Sequence, residues 1–322
     1  MEPLRIATML PSATEIVCAL GYRDSIVATS HECDYPGSVA NLPSCTDTKI
    51  DITGNSLAID QQVKLLVEQG LSVYKVDAEL IRSLKPNLIV TQTQCEVCAA
   101  SPKDLEDALT KWVGGGPSII SLEPNYLRDV WKDIEKVAAG LENPQAGITL
   151  IGDLQRRIDK LSKLAADYVT SQHLKTQLKR PRVGCIEWID PLMAAGNWVP
   201  ELVSLAGGED VFGEAGKHSP WLDEEAIIRE DPDIIIFMPC GYNIKETLKN
   251  LPTVTNKPWW NKLNAVRGKK VFIVDGNQYF NRPGPRLVES LEILLQLILP
   301  EVFLKEFNYE NLGWISIKPK KA

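Results

Sequence analysis

Cys95 and Cys98 form a CxxC pair in "TQTQCEVCAAS" (91–101), directly behind the apolar run "NLIV". His31 and Cys33 stand in "HECDYP", behind a second apolar run, "SIVATS". Thiols and an imidazole at this spacing can hold a metal, carry a redox couple, or fill space. A structural zinc site wants four ligands, for example a second CxxC, and the chain has none. A thioredoxin-type couple opens a helix shortly after a strand; that context is present, but the flanking order differs and no proline separates the cysteines. A third reading is composite: His31, Cys33, Cys95 and Cys98, all at strand ends of one lobe, converge into a Cys3His set suited to zinc or another soft metal. The fourth is packing of small cysteines beneath a loop. Cys240 in "MPCGY" also ends a strand, whereas core packing accounts for Cys18 and Cys185.

Strand-like and helix-like segments alternate through the first half of the chain and position these groups. "RIATML" (5–10) stops at Pro11, after which Ser12 and Glu15 make an S-x-x-E capping box for a helix over "EIVCAL". Strands are predicted over "SIVATS", "LSVYKV", "NLIVTQT" and "SIISLE". Helices are predicted over "QQVKLLVEQG", "DAELIRSL", residues 103–112 and "LRDVWKDIEKVAAGL". From Pro144 to Val169 helix spacing continues without a strand, giving a rod of roughly 40 Å at 1.5 Å per residue. The alternation then restarts with "RVGCIEWI", "DIIIFMPC" and "KKVFIVDG" as strands, and "GPRLVESLEILLQLIL" as a closing helix. The expected architecture is α/β: two Rossmann-like lobes with mostly parallel sheets, residues 1–142 and 176–322, joined by one long helix within 143–175, with a ligand cleft between the lobes. No convincing sequence repeat relates the lobes.

Composition narrows the function classes. The chain has 322 residues, 44% hydrophobic and 24% charged, with a net charge of −7. That acidity argues against a nucleic-acid partner, which needs a basic face. "LEILLQLILP" is too short to span a membrane and reads as a core helix, so no membrane insertion is expected. "MEPLRIATML" carries no basic stretch followed by an apolar run and a cleavage site, and seven cysteines without a framework suit a reducing compartment. Both predict a cytoplasmic protein; a leader missing from this sequence would make it periplasmic.

The loops behind the strands hold "PSATE", "HECDYPGS", "EWIDPLMAAGNW", "MPCGY" and "DGNQYFNRPGPR", rich in aromatic, amide and sulfur groups. With "LPSATEIVCALGY", "LIRSLKPNLIV", "PELVSLAGGEDVFG", "HSPW", "EEAIIREDPDIIIF" and "NRPGPRLVESLEIL" in this order, the chain resembles the helical-backbone (class III) substrate-binding proteins of ABC importers, in particular their vitamin B12-binding branch. The resemblance covers nearly the whole chain. It implies a corrinoid such as cobalamin, or a similar small metal chelate, as ligand. It implies contacts at Tyr35, Trp198, Trp221, Tyr279, Phe280 and Arg282, with Gln94 and Asn281 among the rim amides. Aromatic faces can pack on a corrin disc while amides and Arg bond its rim. His31 or Cys95 could approach the cobalt. Trp259 and Trp260 read instead as packing. The resemblance also implies docking on an ABC transporter permease through Glu79 and Glu225, although each sits in a first helical turn, where the helix dipole alone favours an acid.

Enzyme signatures are missing: the chain has no G-x-S-x-G elbow, no G-x-x-x-x-G-K-[ST] loop, no H-E-x-x-H and no G-x-G-x-x-G opening a helix after the first strand. The expectation is a non-catalytic binding protein for a corrinoid or related chelate, acting as carrier, store or sensor. One alternative is the substrate-binding component of an importer for B12 or an iron chelate. Another is a metal- or thiol-dependent enzyme using His31, Cys33, Cys95 and Cys98.

Overall fold

The computed structural model describes residues 3–69, 71–92, 116–176 and 179–317. The chain divides into two compact units, one of residues 1–54, 58–124 and 128–153, the other of residues 55–57, 125–127 and 154–322.

The first unit is built on four parallel strands in the order β2-β1-β5-β6: β1 (Ile6–Thr8), β2 (Ile26–Thr29), β5 (Leu88–Gln92) and β6 (Ser118–Leu122). Every residue of β5 is buried, which its unbroken apolar run requires of an inner parallel strand. "LSVYKV" does contain a strand, β4 (Tyr74–Val76), but it leaves the parallel sheet and pairs antiparallel with β3 (Thr46–Thr48). Helix α1 (Pro11–Ala19) starts one residue before the expected cap. Leu10 is its N-cap, Ser12 lies inside the first turn, and the S-x-x-E box does not form. Proline at the first helical position explains the shift, because its fixed φ suits that place and its missing N–H costs no bond there. Helix α2 (Ser56–Glu68) begins five residues earlier than its apolar spacing suggested, and α3 (Ala78–Leu84) falls as expected. The helix expected at 103–112 lies outside the described residues.

The second unit holds the sheet β12-β11-β10-β7-β8, with β9 (Glu209–Asp210) also paired to β7. Strands β7 (Arg182–Trp188), β10 (Ile234–Phe237) and β11 (Val271–Val274) run parallel. β8 (Met193–Ala194) and β12 (Trp314–Ser316) close the edges antiparallel. Trp259 and Trp260 belong to the core cluster beneath this sheet, with Phe237 and Ile273. The closing helix, Leu287–Ile298, is buried along nearly its whole length. The long helix runs from Pro144 to Thr176, 33 residues and roughly 50 Å. Residues up to Asp153 belong to the first unit and those from Leu154 on to the second. Among the described residues no helix is long and apolar enough to cross a membrane.

Candidate ligand-binding loops

In open parallel sheets, the strands' carboxyl ends are where ligands bind. In the first unit the loop after β2 is held by a hydroxyl network. Thr46 Oγ1 donates to Ser30 Oγ at 2.9 Å and accepts the backbone N–H of His31 at 3.2 Å. It also lies 2.8 Å from His31 Nδ1. The single proton of Thr46 is already given to Ser30, so Nδ1 is the donor in that contact. Neutral His31 therefore keeps its lone pair on Nε2, on an exposed side chain. The Tyr74 ring lies 5.7 Å from the imidazole and is itself tied to Glu32 by a 2.9 Å hydrogen bond. An imidazole with one nitrogen anchored, on an exposed side chain, can serve as a metal ligand through the other. Tyr35, four residues on, is 42% exposed.

Cys33 goes the other way. It is buried, with Thr14 Oγ1 donating to its sulfur at 3.0 Å and Thr8 2.6 Å from Thr14. Gln94, Cys95 and Cys98 lie outside the described residues. Among the described residues no three His, Cys, Asp or Glu side chains gather as a metal would need. Burial, reinforced by Cys33 nearby, pushes the Cys45 thiol up to about 12, and burial pushes Cys18 up to about 11. Thiols moved in that direction are poor nucleophiles at neutral pH.

In the second unit, Trp221 is 55% exposed, on a segment bridged to Met193. Gly196 makes that segment possible, since a Cβ there would stand 2.5 Å from Lys217 O. Trp188 is partly exposed, donates to Asp190 O at 3.1 Å and packs at 5.2 Å on the ring of Tyr242. Burial, helped by Glu246, pushes the Tyr242 phenol up to about 12. Glu187 accepts from Ser219 Oγ at 3.0 Å. The loop after β11 is folded on Asp275, whose Oδ1 accepts the N–H groups of Asn277 and Gln278. Tyr279 is half-buried under the Arg286 guanidinium, 5.4 Å from its ring centre.

The structure gives four of the expected contact residues partners within the second unit. Trp198 is only 5% exposed and donates its indole N–H to Phe280 O at 2.7 Å; Phe280 is fully buried and Arg282 nearly so. Arg282 donates to Asn277 Oδ1 at 3.2 Å, and Asn281 spends its amide on the carbonyls of Met238 and Gly276, both at 2.9 Å. These contacts hold the loops in place. Conversely, Trp188, Tyr242, Tyr74 and Thr46 shape the loop ends and were not singled out from sequence. Trp188 carried a signal, as a tryptophan at the last position of a strand.

Glu79 and Glu225 are both exposed, each at the second position of a helix capped by an aspartate, Asp77 or Asp223.

The sequence pattern of the periplasmic binding protein family matches residues 6–277. The chain belongs to this family. Its members are substrate-binding proteins, not enzymes. A vitamin B12-binding protein of Vibrio cholerae is 24% identical over 288 residues, 89% of this chain and 86% of the relative. An uncharacterised ABC transporter substrate-binding lipoprotein of Bacillus subtilis is 24% identical over 313 residues, 94% of this chain and 82% of the relative. In fold, a periplasmic heme binding protein of Pseudomonas aeruginosa superposes with a TM-score of 0.67 at 18% identity, over 92% of this chain and 93% of that one.

Proposed function

We propose that this protein binds a corrinoid, such as cobalamin, or a related metal chelate, reversibly and without chemistry, and serves as its carrier, store or sensor. The observation that carries the reading is His31, with Nδ1 held by Thr46 and the lone pair left on Nε2 of an exposed side chain. That nitrogen supplies an axial ligand to the chelated metal. Exposed aromatic faces at Tyr35 and Trp221 suit the flat apolar surface of a macrocycle. Relatives named for vitamin B12 and a fold relative named for heme support this class of cargo.

The test is titration with hydroxocobalamin and with hemin, followed by absorbance and tryptophan quenching. Saturable one-to-one binding with a shifted spectrum is expected, and His31→Ala should abolish the shift. Binding with an unchanged spectrum in wild type removes the axial role of His31. No binding of either chelate overturns the reading.

A second reading, the substrate-binding component of an ABC importer, is favoured by the exposed, matching positions of Glu79 and Glu225. In that reading Glu79→Lys with Glu225→Lys leaves chelate affinity unchanged and abolishes stimulation of the partner permease's ATPase. Unchanged stimulation would remove these two residues from docking. The two readings place the protein on opposite sides of a membrane, so cell fractionation separates them.

A further inference from the structure

The first turn of α1 contains three hydrogen-bond donors without an acceptor among the described residues. Pro11, at its first position, has no N–H, and the N–H of Thr14 is taken by Leu10 O at 3.2 Å. Between them, the N–H groups of Ser12 and Ala13 find no acceptor among the described residues. The Ser12 hydroxyl adds a third donor: the residue is 2% exposed and its Oγ has no partner. Nothing local caps this end. Leu10 offers no side-chain acceptor, and the first turn contains no acid. Glu15, buried one turn further on, lies outside that first turn.

A buried donor left unpaired costs about 1–3 kcal/mol. Three together, at the positive end of the dipole of a nine-residue helix, favour a negatively charged acceptor. The place also matters. α1 starts three residues beyond the end of β1, an inner strand of the parallel sheet, at the end where such sheets bind ligands.

We propose that the amino end of α1 is an anion subsite, in which the N–H groups of Ser12 and Ala13 and the Ser12 hydroxyl hold a carboxylate or phosphate group of the bound chelate. The proposal rests on the chelate-binding reading above and narrows it: the cargo is a macrocycle bearing an acidic side group. Two oxygens of one oxyanion can take the two N–H groups while the hydroxyl closes on either.

The experiment uses the full chain and two kinds of probe. Inorganic phosphate is titrated at constant ionic strength, following thermal unfolding and heat of binding. Hemin is then compared with hemin dimethyl ester, in which both acids are blocked. Phosphate should raise the melting temperature saturably, and Ser12→Ala should weaken its binding about tenfold, the loss of one hydrogen bond to a charged group. Ser12→Asp, bringing its own carboxylate to the donors, should melt above wild type and ignore phosphate. Wild type should bind hemin about tenfold more tightly than the ester, and Ser12→Ala should erase most of that difference.

A response to phosphate no greater than to chloride, unchanged in Ser12→Ala, overturns the subsite and leaves the donors to buried water. A phosphate response with equal binding of hemin and its ester overturns the assignment to the chelate and leaves a site for a free anion. If neither hemin nor hydroxocobalamin binds while phosphate still depends on Ser12, the chelate reading falls and the anion subsite stands.

Discussion

Arg5 and Arg182 share two anchoring contacts in the two units, and Arg182 adds an ion pair to Glu230 Oε2 at 2.6 Å. Each is the residue in front of the first residue paired to an inner neighbour strand, Ile6↔Leu88 in one and Val183↔Ile234 in the other. The backbone N–H of Arg5 donates to Asn87 Oδ1 and that of Arg182 to Asp233 Oδ2, both at 2.9 Å. Each guanidinium then reaches back to a carbonyl at the end of the preceding helix, Leu84 O at 2.8 Å or Glu230 O. Those helices match in turn. Asp77 and Asp223 cap them, Ile81 and Ile227 are buried, and Lys85 and Asp231 end them in the left-handed conformation. A buried proline, Pro86 or Pro232, follows in each. The two units thus contain one helix–strand module twice, and Glu79 and Glu225 occupy the same position in it.

The module predicts matching consequences for its two arginines. Arg5→Ala and Arg182→Ala should each destabilise by about 1 kcal/mol, since each loses a charge-assisted hydrogen bond to an otherwise orphaned helix-end carbonyl at a partly exposed site. Urea unfolding checks this. A change confined to one of the two variants would mean that the shared geometry does not imply shared energetics.

Asp210 predicts an unusual pH dependence. Its Oδ1 accepts the N–H groups of Phe212 and Gly213 at 3.0 and 2.7 Å, while Oδ2 is enclosed without a partner of hydrogen-bond geometry and the Cys185 thiol stands beside it. Burial outweighs these contacts and raises the carboxyl to about 6. The protonated form therefore adds stability that is fully present below the ordinary carboxylate range, near pH 4, and is lost as pH rises through about 6. The rise to about 6 bounds the effect at about 3 kcal/mol. Asp210→Asn should accordingly be more stable than wild type at pH 7.5, by about 1–2 kcal/mol, and no more stable at pH 4. Urea midpoints of both proteins at the two pH values test it. An advantage independent of pH would show that the charge on Asp210 is not the cause.

Much of this was legible in the sequence, for identifiable reasons. The parallel strands announced themselves because runs such as "DIIIF" are buried on both faces, and the long helix because its spacing never breaks. The module repeat was not legible. Its fixed residues are a few caps and turns, Asp, Glu, Ile, Pro, scattered through a dozen positions whose remaining side chains differ. Exposure within the loops was equally hidden. Trp198 and Trp221 occupy similar-looking Gly/Pro-rich stretches, and only the fold turns one inward to Phe280 and leaves the other out. Ser12 looked like a cap because its spacing to Glu15 fits, but proline at position 11 fixed the helix start first.

That inward–outward difference yields a paired prediction. Trp221→Ala should leave stability within about 0.5 kcal/mol of wild type, as an exposed substitution, and weaken chelate binding about tenfold. Trp198→Ala should instead cost about 3 kcal/mol, through the cavity and the lost hydrogen bond to Phe280 O. Urea unfolding alongside a hydroxocobalamin titration separates the two effects. Equal loss of stability in both variants would contradict the burial difference.

The long helix is tied to the closing helix by an ion pair that sets a last expectation. Arg157 donates to both oxygens of Glu292, at 2.8 and 2.6 Å, and Tyr309 donates to Oε2 at 2.7 Å. Glu292 is buried while Arg157 remains 45% exposed, so the two partners are not equally costly to lose. Arg157→Ala strands a buried carboxylate and should cost about 2 kcal/mol, below the full cost of breaking an enclosed pair because water can reach the arginine's place. Replacing both charges, with Arg157→Met and Glu292→Leu, removes the stranded charge and should recover most of that loss. Tyr309→Phe should cost about 1 kcal/mol alone and still less once Glu292 is gone, because both effects act through one carboxylate. A double-mutant cycle by urea unfolding reads the coupling. Strict additivity would mean that Arg157 and Tyr309 stabilise the helix pair by packing, with the carboxylate a bystander.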